Sequence, residues 1–455
     1  MEASPKLKRQ LGLFDSTMMV IGIVIGSGIF MTTGLMAEAL PSPSLILIAW
    51  VLGGVMMLAG ALTYAELGAA MPTAGGQYVY LREAYGPLPA FLFGWVAFIA
   101  YLTGTNAAIA VAIAEHMGSF FPTISQGNII LDLGFYHLSS GQLMALTIIF
   151  GLSLVNYLGV VLGKWVQNVL TILKIGSILV FALIGLFVTT NVTIDYTLNP
   201  TGLSFGQILM GMGVALIAVN WTVGGWDYVT LVSGEIKSPG KNLPRALIFG
   251  TLAIISLYIL INLAYLKSMP ISQIAGEVKI GEASARALFG NGIAGLFTVA
   301  VMLSMFGSLN GNILVGPRVT YAMAKDDLFF KQAADVHPKY RTPGNAIILQ
   351  GIWAGILTLT GTFKELITLV VFVNFMLWIA ASSTVFVLRK KQPNLHRPYK
   401  VWGYPWVPAL FILFSLAIMV NTFFESPGQS LMGLGLTFMG LPAYYYWNKR
   451  KIEGG

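Results

Sequence analysis

Cysteine is absent from the 455 residues, which excludes a disulfide framework, a thiolate metal site and a disulfide-linked partner subunit. Charge is nearly as scarce. Asp, Glu, Lys and Arg make up 10% of the chain, against about 25% in soluble domains. The four histidines, His116, His137, His337 and His396, form no H-x-x-x-H pair, and no serine stands beside a base in a nucleophile-like context. An enzyme needs convergent groups on facing elements, and none are visible. No metal or cofactor is expected, and an intramembrane enzyme is a remote reading. Long hydrophilic stretches are lacking too. The sizeable ones, near residues 119–139, 267–290 and 318–343, are each too short to be a domain.

Apolar runs fill the rest. Hydrophobic residues are 56% of the chain and mean hydropathy is +0.77, so most of the surface faces a lipid bilayer. Crossing about 30 Å of hydrocarbon takes about 20 apolar residues in a helix, and twelve such runs can be counted, at 13–37, 43–70, 88–118, 140–157, 164–190, 206–233, 243–266, 291–317, 344–361, 366–388, 404–423 and 430–447. The fold class is therefore all-α integral membrane. Leu13 onward reads as the first span, because residues 1–10 carry Lys6, Lys8 and Arg9 without the short apolar core of a cleaved signal peptide. The net charge of +8 comes from 26 basic against 18 acidic residues. The basic residues cluster between spans, which marks topology and not nucleic-acid binding. With both termini cytoplasmic, 21 of them lie inside, four lie outside (Lys267, Lys279, Arg286, Lys364) and Lys174 lies within a span. That asymmetry predicts a multi-pass protein of the cell membrane in this orientation.

Two spans carry helix breakers at mid-membrane. The first, 13–37, contains Gly26-Ser27-Gly28, and the sixth, 206–233, contains Gly224-Gly225 beside Asn220, Trp221 and Asp227. Irregular backbone at membrane depth survives only against protein or a wet cavity. Small residues also serve as packing faces, so for Gly22, Gly26 and Ser27 alone both readings stand. Two breaks five spans apart favour the first reading, since they occupy corresponding positions if spans one to five and six to ten are inverted repeats. A break exposes amides that favour an anion and carbonyls that favour a cation. A zwitterionic amino acid fits both. The carboxylate is placed on the N–H groups of Gly26, Ser27 and Gly28, and the ammonium on carbonyls of Ile23, Val24, Trp221 and Gly224. Ile25 completes the unwound segment and is expected to touch substrate with them.

Lys174 lies ten residues beyond Lys164, hence about 15 Å into the membrane. A central lysine costs about 2.5–3.5 kcal/mol on insertion scales, so it must point inward and find oxygen partners. It is either a structural tie or a cation that replaces bound sodium at the first break, and the second reading implies sodium independence. Asp227 either caps the inner half-helix or orients the break and titrates. Trp221 is a core aromatic or a lid over substrate, with its position favouring the lid. Tyr258 either bonds across the bundle or merely satisfies its hydroxyl. Glu66 and Glu115 sit near span ends, where snorkelling or pairing is expected.

These motifs resemble a known family. Gly26-Ser27-Gly28-Ile29-Phe30, Tyr64-Ala65-Glu66-Leu67-Gly68, Gly224-Gly225-Trp226, Asn242-Leu243-Pro244 and Phe306-Gly307-Ser308-Leu309-Asn310-Gly311 look like the amino acid–polyamine–organocation superfamily. Within it the chain is most similar to the L-type amino acid transporters, the light chains of heteromeric exchangers and their bacterial relatives. The resemblance implies a LeuT-like 5+5 inverted repeat with helices one and six broken, followed by two extra helices. It divides the chain into a cytoplasmic segment 1–12, repeats at 13–190 and 206–388, helices at 404–447 and a cytoplasmic tail 448–455. It implies sodium-independent exchange of neutral L-amino acids by alternating access, with Lys174, Tyr258 and Trp221 at the family's lysine, gating-tyrosine and aromatic-gate positions. Asp227 stands where animal relatives often have Asn, which leaves a proton-coupled symporter, with Asp227 or Glu115 as the proton site, as the alternative. Without a cysteine after span three, a transporter working without a partner subunit is expected.

Overall fold

The computed structural model describes residues 7–134, 137–190, 192–199, 202–360 and 363–454. Lys6 and the side chain of Lys364, both used above for orientation, lie outside the described residues, as do parts of the two terminal segments.

Helices dominate, and their starts follow from local chemistry. Ser42 precedes Pro43 and its hydroxyl accepts the Leu45 amide at the head of Pro43–Ala70. Ser139 with Gln142 and Ser204 with Gln207 form reciprocal capping boxes for Ser140–Tyr157 and Phe205–Val223. Pro87 and Pro239 stand in the first turns of the helices they open, where a missing N–H costs nothing. Among the described residues, nine helices are long and apolar enough to cross a membrane, and Leu13–Val24 and Gly344–Thr360 are shorter apolar ones. The run expected as one span at 430–447 is divided into Pro427–Phe438 and Gly440–Gly454. Gly440 and Pro442 interrupt the hydrogen-bond ladder there. Large apolar side chains such as Phe187, Phe205 and Phe424 are exposed, as lipid-facing positions should be.

Several smaller elements escape a hydropathy reading. Gln77–Tyr85 is a short helix after the second span. Ile271–Ile274 and Ile280–Phe289 occupy the 267–290 connection, and Pro317–Lys325 follows the eighth span. Ile129–Asp132 pairs antiparallel with His137–Ser139, Leu131 opposite Leu138.

The helix ends alternate between two faces of the bundle. Acids and bases meet at the face where Leu13–Val24 starts and Pro43–Ala70 stops. Asp15 binds Lys164 at 2.9 Å and Asn168 at 2.8 Å. Glu66, 1% exposed, takes two bonds from Arg389 at 2.9 and 2.6 Å and pairs with Arg397 at 3.4 Å. It is thus fully paired and does not snorkel. Arg82 holds Asp326 at 2.6 Å, and the buried Arg318 holds Glu235 at 2.7 and 3.0 Å. The incoming chain seals this face further, with Gln10 and Leu11 amides on the Glu235 carbonyl and Leu11 bridged to Ile236.

Candidate functional site

The first helix stops at Val24. Ile25 leaves helical geometry, and the Gly26 amide turns back to the Val24 carbonyl at 2.8 Å. The chain resumes as a single turn, Gly28–Phe30, and then as Thr32–Ala39. Gly28 opens that turn, so neither its amide nor that of Ser27 has an intrahelical acceptor. The glycines divide the two roles proposed for them. A Cβ on Gly22 would meet Thr171 Oγ1 at 2.1 Å, which makes Gly22 a packing glycine inside the helix. A Cβ on Gly28 would lie 3.0 Å from the Thr222 Cα, so Gly28 lets the two breaks approach. Gly26 has more room, with Ser308 Oγ at 3.4 Å.

The second break turns on Gly225. Phe205–Val223 ends at the glycine pair, Gly225 has φ +94°, and a tighter helical stretch runs from Trp226 to Glu235. A left-handed backbone at that point favours glycine, and a Cβ would also touch Ile23 at 2.8 Å.

Four side chains hold the unwound strands. Lys174, 1% exposed, donates to the carbonyls of Gly22, Ile25 and Ser304 at 2.8, 2.6 and 2.8 Å. The serines of the eighth span finish the job: Ser304 Oγ donates to Ile25 at 2.8 Å and Ser308 Oγ to Ile23 at 2.6 Å. Tyr258 places its hydroxyl 3.2 Å from both the Val24 and the Thr222 carbonyls. One phenol thus stands between the two breaks, and its single proton serves either.

Between the breaks lies a cavity of about 70 Å³ whose wall includes Ile23, Val24, Gly26, Ser27, Gly28, Trp221 and Gly224. Seven of the eight residues expected to touch substrate are therefore together. Ile25 is the correction: it does not line the cavity, because its carbonyl faces Lys174 and Ser304 and its side chain is fully buried. The carbonyl assignment also needs revision at Val24, whose oxygen already faces the Gly26 amide and the Tyr258 hydroxyl. Ile23 has one partner, Ser308, and Trp221 one, the Gly224 amide at 3.3 Å. Each retains a lone pair for an ammonium.

Trp221 is half-buried and stands with Ser27 and Gly28 between this cavity and a larger pocket of about 530 Å³, which Leu35, Glu38, Ile217 and Glu425 also line. That pocket lies at the end of the bundle opposite the ion-paired face.

Other wall residues were not anticipated. Tyr101 and Thr105 come from the third span, where a π-helical turn at Ala97–Tyr101 shifts the helical register. Tyr101 donates to Asn374 at 2.8 Å. Ser308 and Asn312 come from the eighth span. Ser304, Ser308 and Asn312 repeat at every fourth residue, a polar stripe in an apolar helix, and that spacing was a usable signal. Asn374 offered none.

Lys174, Tyr258 and Asp227 lie behind the wall. Asp227 is fully buried and does not cap its helix; its Oδ2 accepts the Gln77 side-chain amide. Glu115 is exposed near the end of its helix.

A bundle of apolar helices, two of them unwound around a small cavity, defines a membrane transport protein. The amino acid permease family model matches residues 11–442, and the chain belongs to that family. It is 33% identical over 453 residues to the serine/threonine exchanger SteT of Bacillus subtilis, covering 98% of each chain. It is 30% identical to the branched-chain amino acid permease BcaP of the same organism, covering 98% of this chain and 94% of that one. It is 28% identical to the human large neutral amino acids transporter small subunit 2, covering 98% of this chain and 82% of that one. All three are named for transport and none for catalysis, and they place the chain among the L-type amino acid transporters.

Proposed function

We propose that this protein is a sodium-independent exchanger of small to medium neutral L-amino acids that works by alternating access. The observation that carries the reading is the pair of facing breaks with the Lys174 ammonium bonded to carbonyls of the first. A fixed cation occupies the place where a coupling ion would otherwise neutralise those oxygens. The substrate carboxylate docks on the Ser27 and Gly28 amides and the ammonium on the Ile23, Trp221 and Gly224 carbonyls. The cavity of about 70 Å³ holds several water-sized groups, which supports the small end of the range, as does a relative named for serine and threonine.

The architecture proposed with it is twelve spans, a LeuT-like pair of inverted repeats at 13–190 and 206–388, and two further helices within 404–447. The first helix starts at the ion-paired face, whereas Phe205–Val223 starts at the other, and this reversal supports inversion. The basic clusters support an orientation with the ion-paired face and both termini in the cytoplasm, in which the conformation described is closed inside. Lacking cysteine, the chain is proposed to act without a disulfide-linked heavy chain. The rival proton-coupled symporter finds neither Asp227 nor Glu115 in the cavity wall.

Efflux of labelled L-serine from proteoliposomes is the test. Exchange predicts efflux that requires external amino acid and persists when choline replaces sodium. Equally fast efflux into empty buffer, driven by a pH gradient, refutes it.

A further inference from the structure

Behind the second break lies a cluster of buried polar side chains that substrate binding leaves unused. Asp227 sits in it fully buried, with Oδ2 on the Gln77 amide and Oδ1 without any partner. Every element packed there contributes neutral groups. Pro43–Ala70 supplies Tyr64, and Gln77–Tyr85 supplies Tyr80, the two rings 6.4 Å apart. Trp226 lies 5.0 Å from Tyr64 and 5.5 Å from Trp378 of the tenth span. Among the described residues, the phenol oxygens of Tyr64 and Tyr80, both indole nitrogens and the Ser382 hydroxyl make no well-formed hydrogen bond, and the Trp378 indole is the other neutral donor standing near Asp227. Tyr101 and Tyr228, 5.6 Å apart, close the side toward the cavity, and the Thr230 hydroxyl is spent on the Asp227 carbonyl at 2.7 Å. Among the described residues, no Lys, Arg or His pairs with Asp227.

The other buried acids of this protein show the contrast. Glu66 has two arginines and a backbone amide, and Glu235 has a bidentate arginine. An ionised carboxyl without a cation or a full set of donors is far costlier in a protein interior than its neutral form. A neutral carboxyl needs only one acceptor for its proton. Turning the Gln77 amide over presents Oε1 to Asp227 and supplies that acceptor.

We propose that Asp227 is a buried proton-binding site, held in this closed conformation as a carboxylic acid whose O–H donates to Gln77 Oε1. The bound proton joins the segment below the second break, Trp226–Glu235, to the separate helix Gln77–Tyr85. The site is independent of which amino acid is carried.

Infrared difference spectroscopy on the purified full-length protein at neutral pH tests it without any transport readout. Wild type minus Asp227→Asn is expected to show the C=O stretch of a protonated carboxylic acid, lost in the variant. The pair of carboxylate stretches in its place overturns the proposal. Gln77→Leu, which leaves Asp227 intact, is expected to shift the same band by removing its acceptor. An unmoved band overturns the assignment of Gln77 as partner, and both readouts stand or fall separately from the exchange mechanism.

Discussion

Replacing Lys174 by methionine keeps most of the side-chain volume and removes the ammonium. The consequences can be followed oxygen by oxygen. The Ile25 carbonyl keeps the Ser304 hydroxyl at 2.8 Å, and the Ser304 carbonyl sits within the continuous helix Asn291–Val315, whose ladder still serves it. The Gly22 carbonyl keeps nothing, because its helical donor, the Gly26 amide, has turned to Val24. One stranded buried carbonyl costs about 1–3 kcal/mol. The three lost charge-assisted bonds add to this, and relief of the buried ammonium's desolvation subtracts from it. A net cost of about 2 kcal/mol lowers the equilibrium constant for the correctly unwound segment about 30-fold, and exchange falls as that state loses population. The assay is trans-stimulated efflux of labelled L-serine, normalised to reconstituted protein that elutes as a single species. A Lys174→Met protein exchanging within about twofold of wild type would refute the reasoning, because the unwound strand would then need no cation. So would a wild-type rate that collapses in choline, since a sodium ion would then be working beside the lysine.

Two further substitutions probe the same framework. Tyr258→Phe removes the hydroxyl shared by the Val24 and Thr222 carbonyls, a loss of about 1 kcal/mol. Initial exchange rates should drop about fivefold at normal expression, and an unchanged rate would reduce Tyr258 to a ring packed against Trp50. Arg318→Met strands the buried Glu235 carboxyl, at a cost of about 3–5 kcal/mol. Thermal unfolding of the detergent-purified protein should come much earlier, and adding Glu235→Gln should recover part of the loss. A double variant no more stable than the single one would show that the pair contributes through packing and not charge.

Much of the site was legible because its signals are local. Glycines that weaken a helix, and a lysine too deep to reach water, announce themselves through neighbours in the chain. Gly26, Ser27, Gly28 and Gly224 lie in the cavity wall, and the Lys174 ammonium bonds carbonyls of the first break. The stripe Ser304, Ser308, Asn312 belonged to the same legible class, since one helix turn separates its members. Ile25 shows the limit: unwinding was foreseeable, but which face of the unwound strand meets the cavity depends on the serines and lysine packed behind it.

The amino-acid order alone determined that this chain lives in a membrane, where its helices begin, and where two of them cannot continue, because hydropathy, capping and glycine's backbone freedom act over a few residues. Tertiary structure decided which side chains share the cavity and which are spent behind it. Tyr101 meets Asn374 across 273 positions, and Asp227 meets Gln77 across 150, and contacts of that kind exist only once the helices have packed. The physical reason is one of range: backbone propensity is decided within a turn, whereas a binding wall is assembled from turns that the chain itself keeps far apart.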